Sequence, residues 1–424
     1  MSGYQFSKFA KLFVSQGGCF LYSSLTNSFA KIEETLYEAL SRGDFSDLSE
    51  EDIQTLSKMK VIGVDDETER DKIKFKLLSS RFNPTHLTLT LNPTLACNFA
   101  CRYCFEGQLP NQYMTDETED AIVEFVKKHS MAKVIHVTWF GGEPLLAFNR
   151  IISLTEKLKS LGKGYEAGMI SNGYLLTQDK IRKFRELGIN RVQITIDGAE
   201  YTHDKRRPLR SGAPTFDTIV NNIRRAQDID DKLLIIVRVN LDETNQNDYD
   251  SVIDLFPSKD FPSVIVYPAF VSTNNESRAG CIFDDDEIAR FFIKQYYDYG
   301  RYTSHFYPTF NKGACAARNP NSFIIGPSGE LYKCWNDVGI ESKAFGNVLG
   351  EITNEKVLYQ YLMKADAIFD KECDECTFMP VCSGGCPYVR IQNELNGKKA
   401  SVCSLFKKYY KEFLSVQYNY RIKK

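Results

Sequence analysis

The 424-residue sequence has no run of about 18 apolar residues, the length a membrane-spanning helix needs. Its opening stretch, MSGYQFSKFAKLF, lacks the uninterrupted apolar core of a secretory signal peptide, so the chain is expected in the cytoplasm. A charge excess is missing too. The formal net charge is −2, which gives no reason to expect nucleic acid or an anionic membrane as a partner. The C-terminal stretch KKYYKEF…YRIKK is locally basic, as a solvated terminal helix would be. There is no internal repeat and no low-complexity segment. Hydrophobic residues at 43% and charged residues at 25% are ordinary globular proportions, enough for a sizeable core. The length suits two or three domains of roughly 100–200 residues each.

What is abundant is cysteine. There are 12, and a reducing cytoplasm makes clustered thiols metal or catalytic sites rather than disulfides. Ten fall in two blocks, one at Cys97, Cys101 and Cys104 and one from Cys315 to Cys403; Cys19 and Cys281 stand alone.

Residues 1–80 have a pattern of their own. GCFLYSS and SFAKI read as two strands joined at Thr26-Asn27. EETLYEALSRG is helical with Gly43 as its C-cap, and Ser49 opens a second helix, SEEDIQTLSKMK, with acidic residues in its first turn. KVIGV reads as a further short strand, giving a small α+β unit of winged-helix type. From residue 84 strands alternate with helices. HLTLTLN, KVIHVTWF, YEAGMI, RVQITI, LLIIVRVN and SVIVYPAF are the strands, separated by DETEDAIVEFVKKH, RIISLTEKLKSLG, TQDKIRKFRELG, FDTIVNNIRRAQ and a helix near 247–256. That alternation predicts an α/β fold with a parallel sheet. Six units fall short of the eight that close a barrel, so an open, partial (β/α)6 barrel is expected over 84–300. Residues 301–424 lack long periodic elements and are rich in cysteine, as in regions folded around metal.

In α/β barrels the chemistry sits on loops after the C-terminal ends of strands. CNFACRYCFEG follows the first strand, and its C-x3-C-x2-C spacing lets one tight loop turn three thiolates toward one centre. Iron–sulfur and structural zinc sites usually take four protein ligands, so three leave a coordination position for a small molecule. The later strand ends carry Gly141-Gly142-Glu143-Pro144, Ser171-Asn172-Gly173, Asp197-Gly198 and Arg238. Glycines let a backbone approach a ligand closely, and an arginine grips a carboxylate with two donors.

The three-cysteine spacing, the aromatic Tyr103 before the last cysteine and the GGE that follows resemble the radical S-adenosylmethionine enzymes over roughly residues 84–270. The resemblance implies an enzyme in which Cys97, Cys101 and Cys104 hold a 4Fe–4S cluster whose fourth iron is chelated by the methionine end of S-adenosylmethionine. Gly141, Gly142 and Glu143 would hold the amino end of that cofactor, Tyr103 would sit near its adenine, Ser171 and Asn172 near its ribose, and Arg238 would reach its carboxylate. One electron from the cluster would then leave a 5′-deoxyadenosyl radical that abstracts hydrogen from unactivated carbon. The cofactor carries that chemistry, while the protein aims it and excludes water and oxygen. A flavodoxin or ferredoxin is the implied reductant.

The second block ends in C-x2-C-x5-C-x3-C followed by Cys403, and on spacing alone C-x2-C pairs suit zinc as well as iron–sulfur clusters. The order of all seven cysteines resembles the SPASM extension of the same enzymes over about residues 310–410. The resemblance implies one auxiliary cluster on Cys373, Cys376, Cys382 and Cys403 and another on Cys315, Cys334 and Cys386, so three 4Fe–4S clusters in all. Two fully ligated auxiliary clusters need eight thiolates and the block has seven. Either Cys281 completes the set or one auxiliary iron is open; the stretch TFNKGA at 309–314 has no cysteine to offer. The open iron is the reading taken further.

That extension implies peptide substrates, and residues 1–80 look like the leader-binding domains of ribosomal-peptide maturases, which add a peptide as a strand to a sheet edge. A substrate cysteine thiolate on the open iron, next to a carbon radical, would give a thioether cross-link in a precursor peptide. Anaerobic sulfatase maturases, the first alternative, place an Asp directly after the cysteine that matches Cys334. This sequence has Trp335 there and Asp337 two positions on. A carbon–carbon cross-linking maturase needs no open auxiliary iron. An electron carrier or peptide-binding scaffold leaves the three-cysteine loop unexplained. Polar candidates for a general base are Glu106, Asp197, His203, Asp204 and Asp337.

Overall fold

The computed structural model describes residues 4–46, 48–104, 110–271, 282–310, 315–382, 384–397 and 400–423. Contacts divide the chain into two compact units. One gathers Met1–Phe82, Asp284–Asn319 and Gln360–Lys424; the other gathers Asn83–Phe283 and Pro320–Tyr359.

In the first unit, strands β1 (Ala10–Ser15), β2 (Gly18–Ser23) and β3 (Ser28–Ile32) form an antiparallel sheet in that order. The turn between β2 and β3 uses Asn27 in the left-handed region at φ 52°, where asparagine is tolerated. Helix Glu34–Arg42 ends at Gly43 with φ +67°, the expected C-cap. Helix Glu50–Lys58 opens on a reciprocal capping box between Ser49 and Asp52. The expected strand KVIGV does not form. Val61 and Ile62 are buried in a cluster with Leu21, Leu40 and Leu56, and Ile62 makes a single bridge to Phe6. A short apolar run looks the same whether it pairs or simply packs. Helix Asp66–Arg81 follows, capped by the Asp65 carboxylate on the Glu67 and Thr68 amides. Its buried last residue, Arg81, pairs with the buried Asp366.

The second unit is built on a nine-stranded sheet. Strands β4 (His86–Leu91), β5 (Val134–Trp139), β6 (Gly164–Ser171), β7 (Ile189–Thr195), β8 (Leu234–Leu241) and β9 (Val264–Phe270) run parallel in sequence order, the six units expected. Three further strands come from the cysteine-rich part of the chain. β10 (Ser322–Ile325) pairs parallel to β4, and β11 (Glu330–Tyr332) and β12 (Gly346–Asn347) add antiparallel beyond it. The sheet therefore stays open, with β9 and β12 as its edges. The intervening helices cover the apolar face: Leu87, Leu89, Leu91, Ile135, Val137, Val192, Ile194, Val237 and Val239 are all essentially inaccessible. Side chains alternate along a strand, so Gln193, Thr195, Arg238 and Asn240 occupy the opposite face. Parallel strands bring every C-terminal end to one rim, and that rim gathers the candidate residues. Among the described residues no helix is long and apolar enough to cross a membrane.

Leu89 sits mid-strand on β4, pinned between β5 and β10 and fully buried. Leu89→Ala should lower the unfolding free energy by about 2–5 kcal/mol, read as a fall in the denaturant midpoint at unchanged slope.

Candidate functional site

A cavity of about 370 Å3 opens at the C-terminal rim of the sheet in the second unit. Its size suits a small-molecule site, about 300–1,000 Å3. Its wall includes Cys97, Cys101, Cys104, Tyr103, Gly141, Gly142, Ser171, Asn172 and Arg238. One void thus brings together residues that the sequence spreads over some 140 positions, Cys97 to Arg238. Glu143 does not line it.

The cysteine loop leaves β4 and is tied down along its length. Thr94 Oγ1 donates to Gln112 O at 2.7 Å and accepts the Ala96 amide at 3.0 Å. Farther on, Ala100 N donates to Pro208 O at 2.9 Å, Arg210 N to Asn98 O at 2.9 Å, and Arg210 Nε to Cys97 O at 2.6 Å. Burial pushes the Cys97 thiol up to about 12. A thiolate there needs a strong positive partner, which a metal centre supplies. Arg207, only 7% exposed, lies in the electrostatic field of Cys101 and donates to the Tyr103 hydroxyl. Among the described residues no three Cys, His, Asp or Glu side chains converge closely enough to hold a single metal ion. The three thiols line one void.

The double glycine is required by close approach. A Cβ on Gly141 would stand 2.3 Å from Thr94 O, and one on Gly142 would stand 2.3 Å from Ala96 O and 2.5 Å from Leu95 O. Gly141 also has φ +112°. Backbone bonds from Gly142 N to Thr94 O at 3.2 Å and from Glu143 N to Ala96 O at 2.8 Å seal this seam to the cysteine loop. Glu143 is inaccessible. Oε1 accepts Leu145 N at 3.0 Å and Ser171 Oγ at 2.9 Å, and Oε2 accepts Asn172 N at 2.7 Å. Burial raises its pKa even so, the three donors opposing that shift. Its carboxylate is a brace behind the wall, and Gly141 and Gly142 are what the triplet presents to the cavity. Asn172 Nδ2 reaches Asn98 Oδ1 at 2.8 Å, closing the loop over β6.

Arg238 donates from Nε to Asn240 Oδ1 at 2.7 Å and from Nη1 to Tyr267 OH at 3.4 Å. Among the described residues no carboxylate pairs with it, although it is only partly exposed and lines the cavity. Tyr103 is held by Arg207 and by Asn240 Nδ2 at 3.0 Å, and burial raises its hydroxyl well above the usual range. The general-base candidates are committed elsewhere. Asp197 is inaccessible and paired with Arg206 at 3.2 Å. His203 is buried between the Asp197 amide and Thr215, and burial together with Arg207 and Arg206 keeps it neutral. Asp204 accepts the Thr215 and Phe216 amides at the start of helix Phe216–Ile229. Asp337 is buried, and the cavity wall beside it is Trp335 and Asn336. Glu106 and Cys281 lie outside the described residues.

Phe99, Phe140, Gln193, Thr195, Arg207 and Asn240 also face the cavity. Asn240 and Thr195 could have been found from strand alternation, being two residues from Arg238 and Gln193. Arg207 carries no such signal, because it enters from a helix end.

In the first unit a second cavity is lined by Cys315, Cys373, Cys376, Cys382 and Cys403. Arg390 Nη2 donates to Cys373 Sγ at 3.1 Å, Gly384 N to Cys382 Sγ at 3.4 Å, and Lys407 Nζ to Cys403 Sγ at 3.5 Å. Cations aimed at sulfur fit an anionic metal–thiolate centre. Cys386 is exposed in the same unit, and Cys334 belongs to the other, where its sulfur accepts Asn336 Nδ2 at 3.7 Å.

Residues 91–256 match the model of the Radical SAM superfamily. A serine-type anaerobic sulfatase-maturating enzyme of Klebsiella aerogenes is 25% identical over 327 residues, covering 69% of this chain and 77% of its own. Among solved structures, native anSMEcpe with bound AdoMet and a peptide aligns with a TM-score of 0.59 at 19% identity, over 80% of this chain and 98% of its own. SuiB of Streptococcus suis bound to precursor peptide SuiA aligns with a TM-score of 0.54 at 14% identity, over 95% of this chain and 99% of its own. At such identities these two structures establish a shared fold.

Glu143→Gln puts an NH2 where one of three donors now finds an oxygen, so an amide or hydroxyl loses its acceptor. The expected cost is about 1–3 kcal/mol, with faster hydrogen exchange at the Asn172 amide. A carboxyl raised by folding binds its proton more tightly folded than unfolded. The native chain should therefore lose stability as pH rises from the ordinary glutamate range through the raised value, and the glutamine variant should lack that loss.

Proposed function

The chain carries a radical SAM domain and is an enzyme, and from that premise we propose that it is a peptide maturase installing thioether cross-links in a ribosomally made precursor. The observation that carries the reading is the rim cavity, where three thiols share one void with a cradle of two glycines and an arginine without a carboxylate partner among the described residues. S-adenosylmethionine bound at a 4Fe–4S cluster supplies one-electron chemistry that ends in hydrogen abstraction from unactivated carbon. Cys97, Cys101 and Cys104 would hold that cluster. Gly141 and Gly142 would offer backbone at the wall to the cofactor's amino end, and Arg238 would take its carboxylate with two donors. Ser171 and Asn172 are fixed by Glu143 and present polar edges suited to hydroxyls. Tyr103 and Phe99, with Phe140 tilted against Trp335 at a centroid distance of 4.8 Å, give the void apolar walls that would help exclude water.

The rest of the assignment follows the cysteines. Cys373, Cys376, Cys382 and Cys403 would hold one auxiliary cluster, and a further auxiliary cluster with an open iron would take a substrate thiolate. Residues 1–80 would receive the leader peptide, 84–300 would perform the radical chemistry and 301–424 would carry the auxiliary clusters. A flavodoxin or ferredoxin would deliver electrons. Formylglycine formation is the second reading, favoured by the sulfatase-maturating relative. Against it, the wall residues after Cys334 are Trp335 and Asn336, and Asp337 is buried.

Co-expression with a short cysteine-bearing peptide encoded beside the gene, followed by mass spectrometry, separates the readings. A thioether predicts loss of two hydrogens and one unalkylatable cysteine per link. A modified product whose cysteines all alkylate rules out sulfur coupling, and a sulfatase-derived peptide converted to formylglycine supports the second reading. Replacing Cys97, Cys101 and Cys104 together by alanine should abolish reductive cleavage of S-adenosylmethionine. Arg238→Ala should weaken its binding roughly 10- to 100-fold, the worth of charge-assisted hydrogen bonds to a carboxylate.

A further inference from the structure

The second cysteine cavity is ringed by positive charge, and two of its cations make contacts that packing alone does not ask for. Arg390 stands on helix Pro387–Asn396, and only 11% of its side chain is exposed. Its three nitrogens go to three different places: Nη1 to Asp370 Oδ2 at 2.5 Å, Nε to Gly384 O at 2.6 Å and Nη2 to Cys373 Sγ at 3.1 Å. Asp370 in turn accepts the Glu372 and Cys373 amides at 2.9 and 3.2 Å, so one fork fixes the turn that carries Cys373. The approach depends on Gly384 and Gly385, both at φ +73°. A Cβ on Gly384 would overlap Ala367 and reach 3.2 Å from Arg390 itself. Lys407 comes from a separate helix, Leu405–Ile422, and meets a different sulfur, that of Cys403. No carboxylate among the described residues pairs with Lys407.

We propose that Arg390 and Lys407 are positioning residues for an iron–sulfur cluster in this cavity, holding the sulfurs of Cys373 and Cys403 and setting its reduction potential. The inference rests on the reading that these cysteines ligate such a cluster. A cluster held by four thiolates is anionic, and reduction by one electron makes it more so. A cation within hydrogen-bond reach of a ligand sulfur favours the reduced form more than the oxidised one, which raises the potential. The two cations touch different sulfurs but act on one centre, so each is tested singly. Arg390 is partly neutralised by Asp370, so Lys407 carries its share of the effect.

The test uses the full chain, with Cys97, Cys101 and Cys104 replaced by alanine so that only auxiliary centres report. It is reconstituted anaerobically and titrated with dithionite under electron paramagnetic resonance. Arg390→Gln and Lys407→Met should each move one reduction wave to more negative potential at native iron and sulfide content, and Arg390→Lys should recover part of the shift. Should Arg390→Gln bind no iron, the shift in Lys407→Met alone supports the proposal, since that side chain's recorded bond is to the sulfur. An unmoved wave at native iron content in either variant overturns it. Absence of iron and sulfide from the unsubstituted cavity overturns the cluster assignment instead, so the two failures are told apart.

Discussion

The rim cavity depends on a seam of backbone only a few atoms wide. Gly141 and Gly142 press against the carbonyls of Thr94, Leu95 and Ala96, and the amides of Gly142 and Glu143 bond back to Thr94 and Ala96. Any side chain there would pry the cysteine loop off the end of β5. Glu143 extends the same seam sideways, its carboxylate collecting donors from its own turn and from the end of β6. Three strand ends are thereby locked in register at one rim. A loop bearing three thiols is otherwise a poor scaffold, since loops yield more easily than strands. Here its shape is imposed largely by backbone hydrogen bonds to the sheet ends, with the Phe99 amide and Asn172 Nδ2 also reaching the Cys97 sulfur, which is the preorganisation a radical site needs.

This explains why the order of β4 to β9 was readable and some details were not. Alternating apolar residues at Leu87, Leu89 and Leu91 or at Val192 and Ile194 report burial against helices, and that signal is local. The rim residues follow from the rule that parallel strands end together, so Gly141, Ser171 and Arg238 could be gathered without coordinates. Burial changes the part each one takes. Glu143 was expected to help hold the cofactor's amino end; its carboxylate is inaccessible and taken up by three donors from its neighbours. Arg207 was invisible because its position depends on where helix Glu200–Arg206 ends, a boundary that sequence fixes only loosely. Strand β10 was missed because SFII is only four residues long and pairs with a strand more than 200 positions earlier.

The candidate acids tell a related story. Asp197, His203 and Asp204 sit close in sequence to Arg206 and Arg207, a composition that suggests proton transfer. Each is spent on holding the 197–216 segment: Asp197 on Arg206, His203 on Thr215, Asp204 on a helix start. That segment is the one whose carbonyls and amides receive the cysteine loop at Ala100 and Asn98. The two carboxylates and the neutral imidazole are thus used to stiffen the floor on which the thiols rest.

Both cysteine cavities solve one electrostatic problem in similar terms. Thiolates packed together repel one another and are costly to bury, so each needs nearby positive charge or oriented dipoles. At the rim the supply is Arg207 beside Cys101; in the first unit it is Arg390 and Lys407, with the Gly384 amide on a third sulfur. The difference lies in what reaches sulfur. Arg207 reaches Tyr103, and the donors that reach the Cys97 sulfur, the Phe99 amide and Asn172 Nδ2, are neutral, whereas Arg390 and Lys407 bring full charges to sulfur. A charged donor acts most on the sulfur it touches, so in the first unit the sulfurs of Cys373 and Cys403 can be biased separately.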